Sequence, residues 1–219
     1  MSVLSSRLLG LQPSLLRVFA AALIVAVAGC ASTRAAESDR IARLLGLAPG
    51  MTVADVGAGN GDYSFTLAEQ VGREGHVFAT EVDNDDVSRI EGRIESDELT
   101  NLTAILGTDE ATGLDDSCCD AILLRLVYHH FTKPEPMRES LMAALKPGGL
   151  IAVIDIEPQS SWRELPGVPD RGGHGIPPDD LVAEMTGGGF ELVERIDDWS
   201  GDEDYYCVLF RRPAYQATP

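Results

Sequence analysis

The 219-residue chain is poor in basic residues and in cysteine, and each shortage excludes a class of function. It has 17 Lys and Arg against 35 Asp and Glu, for a formal net charge of −18. Nucleic-acid binding needs a basic patch, and the longest basic run here is Arg211-Arg212, so no nucleic-acid partner is expected. The four cysteines show neither metal spacing nor a CxxC redox motif, and the sequence predicts no metal site.

Residues 1–29 contain no acidic residue and have Arg7 and Arg17 as their only charges. The apolar stretch at 18–28 is too short for a membrane span, which needs roughly 20 residues. A basic start, a short apolar stretch and small residues before a break are typical of a secretory signal. The break, "VAGC", ends at Cys30 and resembles the bacterial lipobox, which implies cleavage before Cys30 and lipidation of its thiol.

This signal predicts the domain organisation: a signal peptide over 1–29, a short tether over 30–36 and one domain over 37–219. Cleavage would remove two arginines and no acid, so the mature chain would be repelled by anionic lipid and held by its acyl chains. We expect a periplasmic, lipid-anchored location, with the outer membrane favoured because Ala31 rather than Asp follows the cysteine. The alternative is a cytoplasmic protein.

Alternating strand and helix patterns predict an α/β protein with a doubly wound, mostly parallel sheet. The final strands are joined by the short segment "DDWSGDED", which leaves no room for a helix and makes them an antiparallel pair. The predicted helices are 37–48, 62–71, 84–96, 134–145 and 179–186, and the predicted strands are 51–56, 76–82, 102–106, 119–127, 150–157, 190–197 and 204–212.

A glycine loop, "VADVGAGNGDYS", lies between the first strand and the helix that follows it. Its glycines Gly57, Gly59 and Gly61 are spaced G-x-G-x-G, and Asp62 stands where a dinucleotide loop has its third glycine and would repel a pyrophosphate. The pattern that begins at Asp55 resembles motif I of the class I S-adenosylmethionine (SAM) methyltransferases. The resemblance implies that the loop packs against the methionine part of SAM and that Asp55 helps to hold its ammonium group.

Acidic residues follow the second and third strands. Glu81 lies about 20 residues after the glycine loop, the distance at which an acid meets ribose hydroxyls, with Asp83 as the alternative. In "LGTDEATGLDD", the resemblance implies an acid that accepts a hydrogen bond from the adenine amino group. Asp109 is the best match, and Glu110 is the alternative. The resemblance therefore implies SAM as the cofactor.

The segment "RLVYHHFTKPEP" is similar to motif IV of the same family. Tyr128, His129 and His130 follow the fourth strand, at the sheet edge where ligands of open α/β sheets bind, and we expect them to border the acceptor pocket. Either histidine is a candidate base if the acceptor must lose a proton, and the alternative for each is a packed side chain that caps the next helix. Arg125 is placed to pair with the carboxylate of SAM.

The Pro- and Gly-rich loop 158–178 is expected to be a lid, with Trp162 and His174 as its notable side chains. "KPGG" and the fifth strand are similar to the family too, so the resemblance covers about 37–212. In the family's strand order, Cys119 and Cys207 would lie two strands apart, roughly 9.6 Å, beyond the ~7 Å reach of a disulfide. No disulfide is expected between them.

These features predict a SAM-dependent methyltransferase with a small-molecule acceptor, because no nucleic-acid or protein-binding module is attached. Two alternatives stay open. One is an exported protein that keeps the fold without catalysis, which the export signal favours because SAM is made in the cytoplasm. The other is a nicotinamide-dependent oxidoreductase, which the glycine spacing and the final hairpin disfavour. The sequence does not predict an oligomeric state.

Overall fold

The computed structural model describes residues 34–162, 166–199, 201 and 204–214. The chain divides into two units, Met1–Glu37 and Ser38–Pro219, and only residues 34–37 of the first are described. The predicted signal segment and Cys30 lie outside the described residues. In the part of the chain that is described, no helix is long and apolar enough to cross a membrane.

The described residues form one mixed sheet with helices packed on it. The strands are β1 (Thr52–Val56), β2 (His76–Glu81), β3 (Leu102–Leu106), β4 (Cys119–Arg125), β5 (Leu145–Ile156), β6 (Glu191–Ile196) and β7 (Tyr205–Arg211). The helices are α1 (34–44), α2 (Asp62–Val71), α3 (Asn84–Ser96), α4 (Pro134–Ala144) and α5 (Pro178–Gly187), and Tyr128–His130 form a 3₁₀ turn.

The strand order is β3-β2-β1-β4-β5-β7-β6. The first five strands run parallel, and β7 is antiparallel to both β5 and β6. This confirms the predicted doubly wound, seven-stranded sheet with a terminal antiparallel hairpin. The order reverses between β1 and β4, and in open α/β sheets this is the point at which ligands bind, outside the carboxyl ends of the strands.

Strand side chains alternate between two apolar layers, as the period of two requires. In β4, Ile122 and Leu124 belong to the layer that contains Met137 and Leu141 of α4, whereas Leu123 belongs to the opposite layer. That opposite layer contains side chains of α1, α2 and α3. Because both faces are covered, the central strands are mostly apolar on both faces, which is the pattern of a parallel sheet.

Two strand boundaries differ from the sequence prediction by two residues or more, and helix α1 covers 34–44 rather than the predicted 37–48. The strand β5 begins at Leu145 rather than residue 150, because "KPGG" enters the strand through an irregularity in the β4–β5 register. A Cβ on Gly149 would lie 2.8 Å from the carbonyl oxygen of Asp120, so only glycine fits this close approach. The strand β4 ends at Arg125, two residues early, because Leu126 takes a left-handed conformation with φ 56°.

The sheet register separates the cysteines. Cys119 pairs with Leu145 at the beginning of β5, and Cys207 pairs with Ile154 near its other end. Cys119 and Cys207 therefore lie far apart along the strand direction. They are also separated across the sheet, because β5 lies between β4 and β7. Burial raises the pKa of the Cys119 thiol, which keeps it protonated and inert.

Candidate active site

The glycine loop follows β1 at the point where the strand order reverses. The N–H groups of Gly57 and Ala58 both donate to the carbonyl oxygen of Thr80 at the end of β2, at 2.9 and 3.1 Å, which holds the loop against the sheet edge. Gly57 has φ 73°, and a Cβ there would lie 2.3 Å from a methyl group of Val127. Gly59 has φ 58°, yet a Cβ there would meet no described atom within 4 Å. The loop is thus tightly packed at Gly57 and open at Gly59.

Asp55 is buried beneath this loop, at 3% exposure. Its carboxylate accepts a hydrogen bond from the Ser64 hydroxyl of α2 at 2.6 Å. Burial raises the pKa of Asp55 to about 6 and the charge of Glu81 adds to the rise, while the Ser64 bond and the Arg125 guanidinium oppose it. A carboxylate is therefore held, at a cost in free energy, directly below the loop.

Glu81 ends β2 and contacts the glycine loop. One carboxylate oxygen accepts from the N–H of Gly59 at 2.6 Å, and the other accepts from Val82 N–H at 3.1 Å. Asp83, the alternative, caps α3 by accepting from the N–H of Asp85 at 2.7 Å. The structure therefore places Glu81 at the loop and gives Asp83 a local capping contact, and ribose binding by Glu81 stays a prediction.

A cavity of about 160 Å³ lies beside the loop, between the ends of β1 and β2 and the segments that follow β3 and β4. Glu81 and Asp109 are in its wall, together with Val127, His130 and Phe131. Asp109 also forms an ion pair with Lys133 at 3.0 Å, and Glu110 forms one with the same lysine at 2.6 Å. The structure thus brings together the glycine loop and two of the predicted acids around one space, and adenine binding by Asp109 stays a prediction.

Arg125, the last residue of β4, lies near the loop on the α2 side. Its guanidinium carbon stands 4.6 Å from the centre of the Tyr63 ring, a cation–π contact, and it is close enough to Asp55 to lower the pKa of that acid. Pairing of Arg125 with the SAM carboxylate stays a prediction.

Tyr128 requires a correction, because its side chain is fully buried in the core rather than beside the acceptor. Its hydroxyl donates to Glu184 of α5 at 2.9 Å and accepts from Arg138 of α4 at 3.1 Å. Burial raises its pKa, and the Glu184 charge adds to this. The cause is the left-handed Leu126, which redirects the chain into the 3₁₀ turn and turns the tyrosine inward. The hydroxyl is thus a structural link between helices.

His129 is buried at 4% exposure and is oriented by Asp155 of β5. Its Nδ1 lies 2.5 Å from one carboxylate oxygen, and its backbone N–H donates to the other at 3.2 Å. Asp155 is fully buried and also accepts from Ile156 N–H at 2.8 Å. Because a carboxylate accepts, the proton belongs on Nδ1, and Nε2 of a neutral His129 carries the lone pair.

Two more histidines surround that Nε2. The Nε2 atom of His174 lies 3.1 Å from it, and the ring of His130 makes an edge contact with each of the other two. One ring nitrogen from each of the three lies within 4.8 Å of the others, so the group has the composition and spacing to hold a metal ion. His130 is exposed to solvent on one side, but its partial burial lowers its pKa to about 4, and His129 and His174 add to this, so His130 is neutral at pH 7.

The segment that carries His174 is attached to the end of β5. Gln159 and His174 pair through two backbone hydrogen bonds, and Ile176 N–H donates to Ile156. A Cβ on Gly175 would lie 2.6 Å from the carbonyl oxygen of Ile156, so glycine permits this close approach. A lid function of this segment stays a prediction. At His174 the segment is hydrogen-bonded to Gln159, just after the end of β5.

A second cavity, of about 120 Å³, opens on the other side of the histidines. His129 and His174 are in its wall together with residues 168–170. Trp162 is 49% exposed and makes a tilted ring contact with His174, with ring centres 5.3 Å apart. His130 lines the first cavity, so the histidine cluster is the wall between the two spaces.

Sequence reasoning missed Asp155 and the approach of His174 to His129. Asp155 had a signal, since a carboxylate within the apolar strand "LIAVIDI" must have a buried partner. The histidine contact had none, because 45 residues separate His129 from His174 and their approach depends on the fold.

Comparisons with known proteins give the family and confirm the fold of this chain. The family profile described as "Methyltransferase domain" matches residues 47–177. An arsenite methyltransferase of Halobacterium salinarum is 26% identical over 174 residues, which are 72% of this chain and 44% of that protein. A ubiquinone/menaquinone biosynthesis C-methyltransferase of Hydrogenovibrio crunogenus is 29% identical over 118 residues, 51% of this chain and 44% of that protein. The chain thus spans less than half the length of these relatives.

A solved structure shares the fold. A SAM-dependent methyltransferase from Aquifex aeolicus superposes with a TM-score of 0.67 at 22% identity, covering 80% of this chain and 88% of that one. At this identity the likeness shows the fold alone. The family profile, which covers more than half of the chain and includes the glycine loop, Glu81 and the histidine pair, shows more: this chain belongs to the methyltransferase domain family.

Proposed function

We propose that this protein transfers a methyl group from SAM to a small-molecule acceptor. The observation that carries the proposal is the joining of the glycine loop to Glu81, through the 2.6 Å bond to Gly59 N–H, at the wall of one cavity. A pyrophosphate cofactor is disfavoured there, because Asp62 begins α2 and Asp55 lies below the loop, so two carboxylates face the place that phosphates would take.

The residues present fit SAM. Open space above Gly59 admits a ligand close to the backbone, and Glu81 offers acceptor positions for ribose hydroxyls beyond the two that the protein uses. Asp109 offers an acceptor for the adenine amino group, and Asp55 and Arg125 supply charges of opposite sign below the amino-acid end. When bound, SAM supplies a methyl group that is activated by its attachment to a positive sulfur.

Catalysis by this chain would rest on alignment of the two reactants, because an activated methyl group has a good leaving group. Transfer requires the donor and the acceptor to meet, so we place both at the space beside the glycine loop, whose wall includes His130. His130 is neutral at pH 7, and its imidazole can form a hydrogen bond with a polar acceptor in this space. Val127 and Phe131 add apolar side chains to the same cavity wall.

The acceptor is proposed to be something other than arsenite, although one relative bears that name. Arsenic(III) is bound by thiolates. Cys118 and Cys119 stand at the beginning of β4, at the opposite sheet edge from His129 and His130, and Cys207 is fully buried within β7. The described cysteines therefore do not meet at the cavities, whose walls carry imidazoles.

Calorimetry tests the donor. The full-length chain is titrated with SAM, with its demethylated product S-adenosylhomocysteine and with NADH. We expect saturable binding of the first two and none of NADH. Binding of NADH without SAM would overturn the proposal in favour of an oxidoreductase. Binding of SAM with no methyl transfer to any member of a panel of small hydroxyl, thiol and amine compounds would favour a non-catalytic protein.

We further propose that the protein is exported and anchored by lipid at Cys30. The support is the sequence alone: a basic start, the apolar stretch 18–28 and "VAGC". Cells expressing the wild type and Cys30→Ala are fractionated, and the mature protein is weighed. We expect diacylated Cys30 in the membrane fraction of the wild type and its loss in the variant. Cytoplasmic protein with residues 1–29 intact would contradict the proposal.

A further inference from the structure

Three of the four histidines of this chain meet at one place. His129 and His130 come from the 3₁₀ turn after β4, and His174 comes from the segment bonded to the end of β5. The fourth, His76, begins β2 at the opposite sheet edge and bonds Thr103 at 2.9 Å. Methyl transfer from a positive sulfur requires no such cluster, so its composition calls for a separate explanation.

The cluster has the supporting contact that metal-binding histidines show. A ligand imidazole commonly donates its other ring N–H to a carboxylate, which fixes the tautomer and directs the lone pair at the metal. Asp155 makes this contact to His129 at 2.5 Å, and it is itself fixed by Ile156 N–H and by the backbone N–H of His129. A fully buried carboxylate is costly, and here its position serves to orient one imidazole.

The spacing of the ring nitrogens matches a tetrahedral site. Metal–nitrogen bonds of 2.0–2.1 Å put neighbouring ligand nitrogens roughly 3.3 Å apart. The Nε2 atoms of His129 and His174 are 3.1 Å apart. The three ring nitrogens lie within 4.8 Å of one another, so metal binding would require the ring of the exposed His130 to move closer to the other two. Imidazole nitrogen is a preferred ligand of zinc and of its first-row neighbours.

We propose that His129, His130 and His174 bind one divalent transition-metal ion, with zinc as the best match, and that Asp155 positions His129 for it. Three protein ligands leave one position of a tetrahedral ion for water or for a donor atom of a small ligand. Because His129 and His174 line the second cavity, a ligand in that cavity reaches the ion. The site goes beyond methyl transfer, and metal binding is measurable without SAM.

The test uses the full-length chain without a polyhistidine tag, stripped with a chelator. It is titrated with Zn²⁺ in a calorimeter and with Co²⁺ in a spectrophotometer, where tetrahedral Co²⁺ gives intense visible bands. We expect one equivalent of each metal. His130→Ala and His174→Ala should weaken binding at least tenfold, and Asp155→Asn should weaken it about 10- to 100-fold while the three ligands remain. His130 is exposed, so its replacement leaves the core intact.

Two matched variants serve as controls. His76→Ala removes a histidine outside the cluster. The adjacent thiols of Cys118 and Cys119, whose sulfurs lie 3.1 Å apart, are an alternative place for a metal ion, and Cys118→Ser removes the more accessible of the two. Both should bind like the wild type. Failure of the wild type to bind a stoichiometric ion would overturn the proposal. Loss of metal binding in Cys118→Ser would also overturn the proposal. Full metal binding in both His130→Ala and His174→Ala, each shown to be folded, would overturn it as well. SAM titration of the same variants reports separately on the donor site.

Discussion

At the scale of single residues, the site contains carboxylates held where water does not reach them. Asp55 and Asp155 are both nearly or fully buried, and each has a specific hydrogen-bonded partner, Ser64 and His129. Neither is needed to complete the fold, since an apolar side chain would be cheaper to bury. Buried acids placed this way, at a cavity, are typical of functional sites.

The free-energy cost of burying the Asp55 carboxylate predicts that the stability of the folded protein depends on pH. Its pKa rises from 3.8 to about 6 on folding, so the folded chain binds the proton more tightly, and stability falls as pH rises through this interval. Asp55→Asn does not titrate and can still accept from Ser64. Without SAM, its free energy of unfolding relative to wild type should increase by about 3 kcal/mol between pH 3.5 and 7. Urea unfolding at several pH values measures this.

The control for this prediction is Asp116→Asn, an exposed acid before β4. Its difference from wild type should vary little over the same interval. Groups common to wild type and variant cancel in each comparison. A difference for Asp55→Asn that does not change with pH would contradict the assigned burial of this carboxylate.

Glu81 and Asp83 provide a paired test of the ribose assignment. Glu81→Ala removes the acceptor that faces the cavity, and loss of hydrogen bonds from two hydroxyls to a charged group should cost on the order of 1.5–3 kcal/mol. We therefore expect SAM affinity to fall at least tenfold in calorimetry. Asp83→Ala removes a helix cap, so it should lower thermal stability and leave SAM affinity unchanged. The reverse pattern would assign the ribose to Asp83.

At the scale of elements, the strand-to-helix connections position the site. The glycine loop links β1 to α2, Glu81 ends β2, and the 3₁₀ turn after β4 presents the histidines. Two of these three connections contain an unusual backbone conformation: left-handed glycines in the first and the left-handed Leu126 in the last. Strained non-glycine residues persist where the surrounding structure fixes them, and they concentrate at functional sites.

Gly59 and Gly46 make a matched pair for testing the loop. Both have left-handed φ, 58° and 63°, and a Cβ on either meets no described atom within 4 Å. Alanine at each should therefore cost a similar amount, about 1–2 kcal/mol, in stability. Only Gly59→Ala should weaken SAM binding, because its methyl group would occupy the space above the loop. Equal SAM affinity in the two variants would show that the donor does not approach Gly59.

At the scale of the whole molecule, one carboxylate joins four parts of the chain. Glu184 of α5 accepts from Tyr128 after β4, from Arg138 of α4 and from Arg171 of the segment before α5, at 2.8–3.1 Å. The Arg171 side chain is 4% exposed, so its charge depends on this partner. The network holds the wall of the second cavity to the helix layer beneath it.

Glu184→Gln should therefore reduce stability. The change leaves two arginines, one of them fully enclosed, without a counter-charge, and breaking such a pair should cost about 2–3 kcal/mol. Glu191→Gln, the same change on the exposed face of β6, should have little effect. Chemical unfolding of the two variants measures the difference. Equal stability would show that Glu184 does not neutralise the arginines.

The sequence by itself determined the α/β class, the glycine loop and the acids that follow β2 and β3. These features are local: alternating apolar periods set the elements, glycines set the turns, and parallel strands bring their carboxyl ends to one edge whatever the remaining chain does. Helix α3 and strand β3 have the predicted boundaries, because each has a strong period and clear ends.

Only the tertiary structure decided which way Tyr128 turns and what surrounds His129. A side chain after a strand end can face the cavity or the core, and here one left-handed residue, Leu126, chose the core for the tyrosine. The histidine cluster needs two segments 45 residues apart to meet, with Asp155 beneath them. Such contacts depend on sheet order and on glycines that admit a close backbone approach, and spacing along the chain does not encode them.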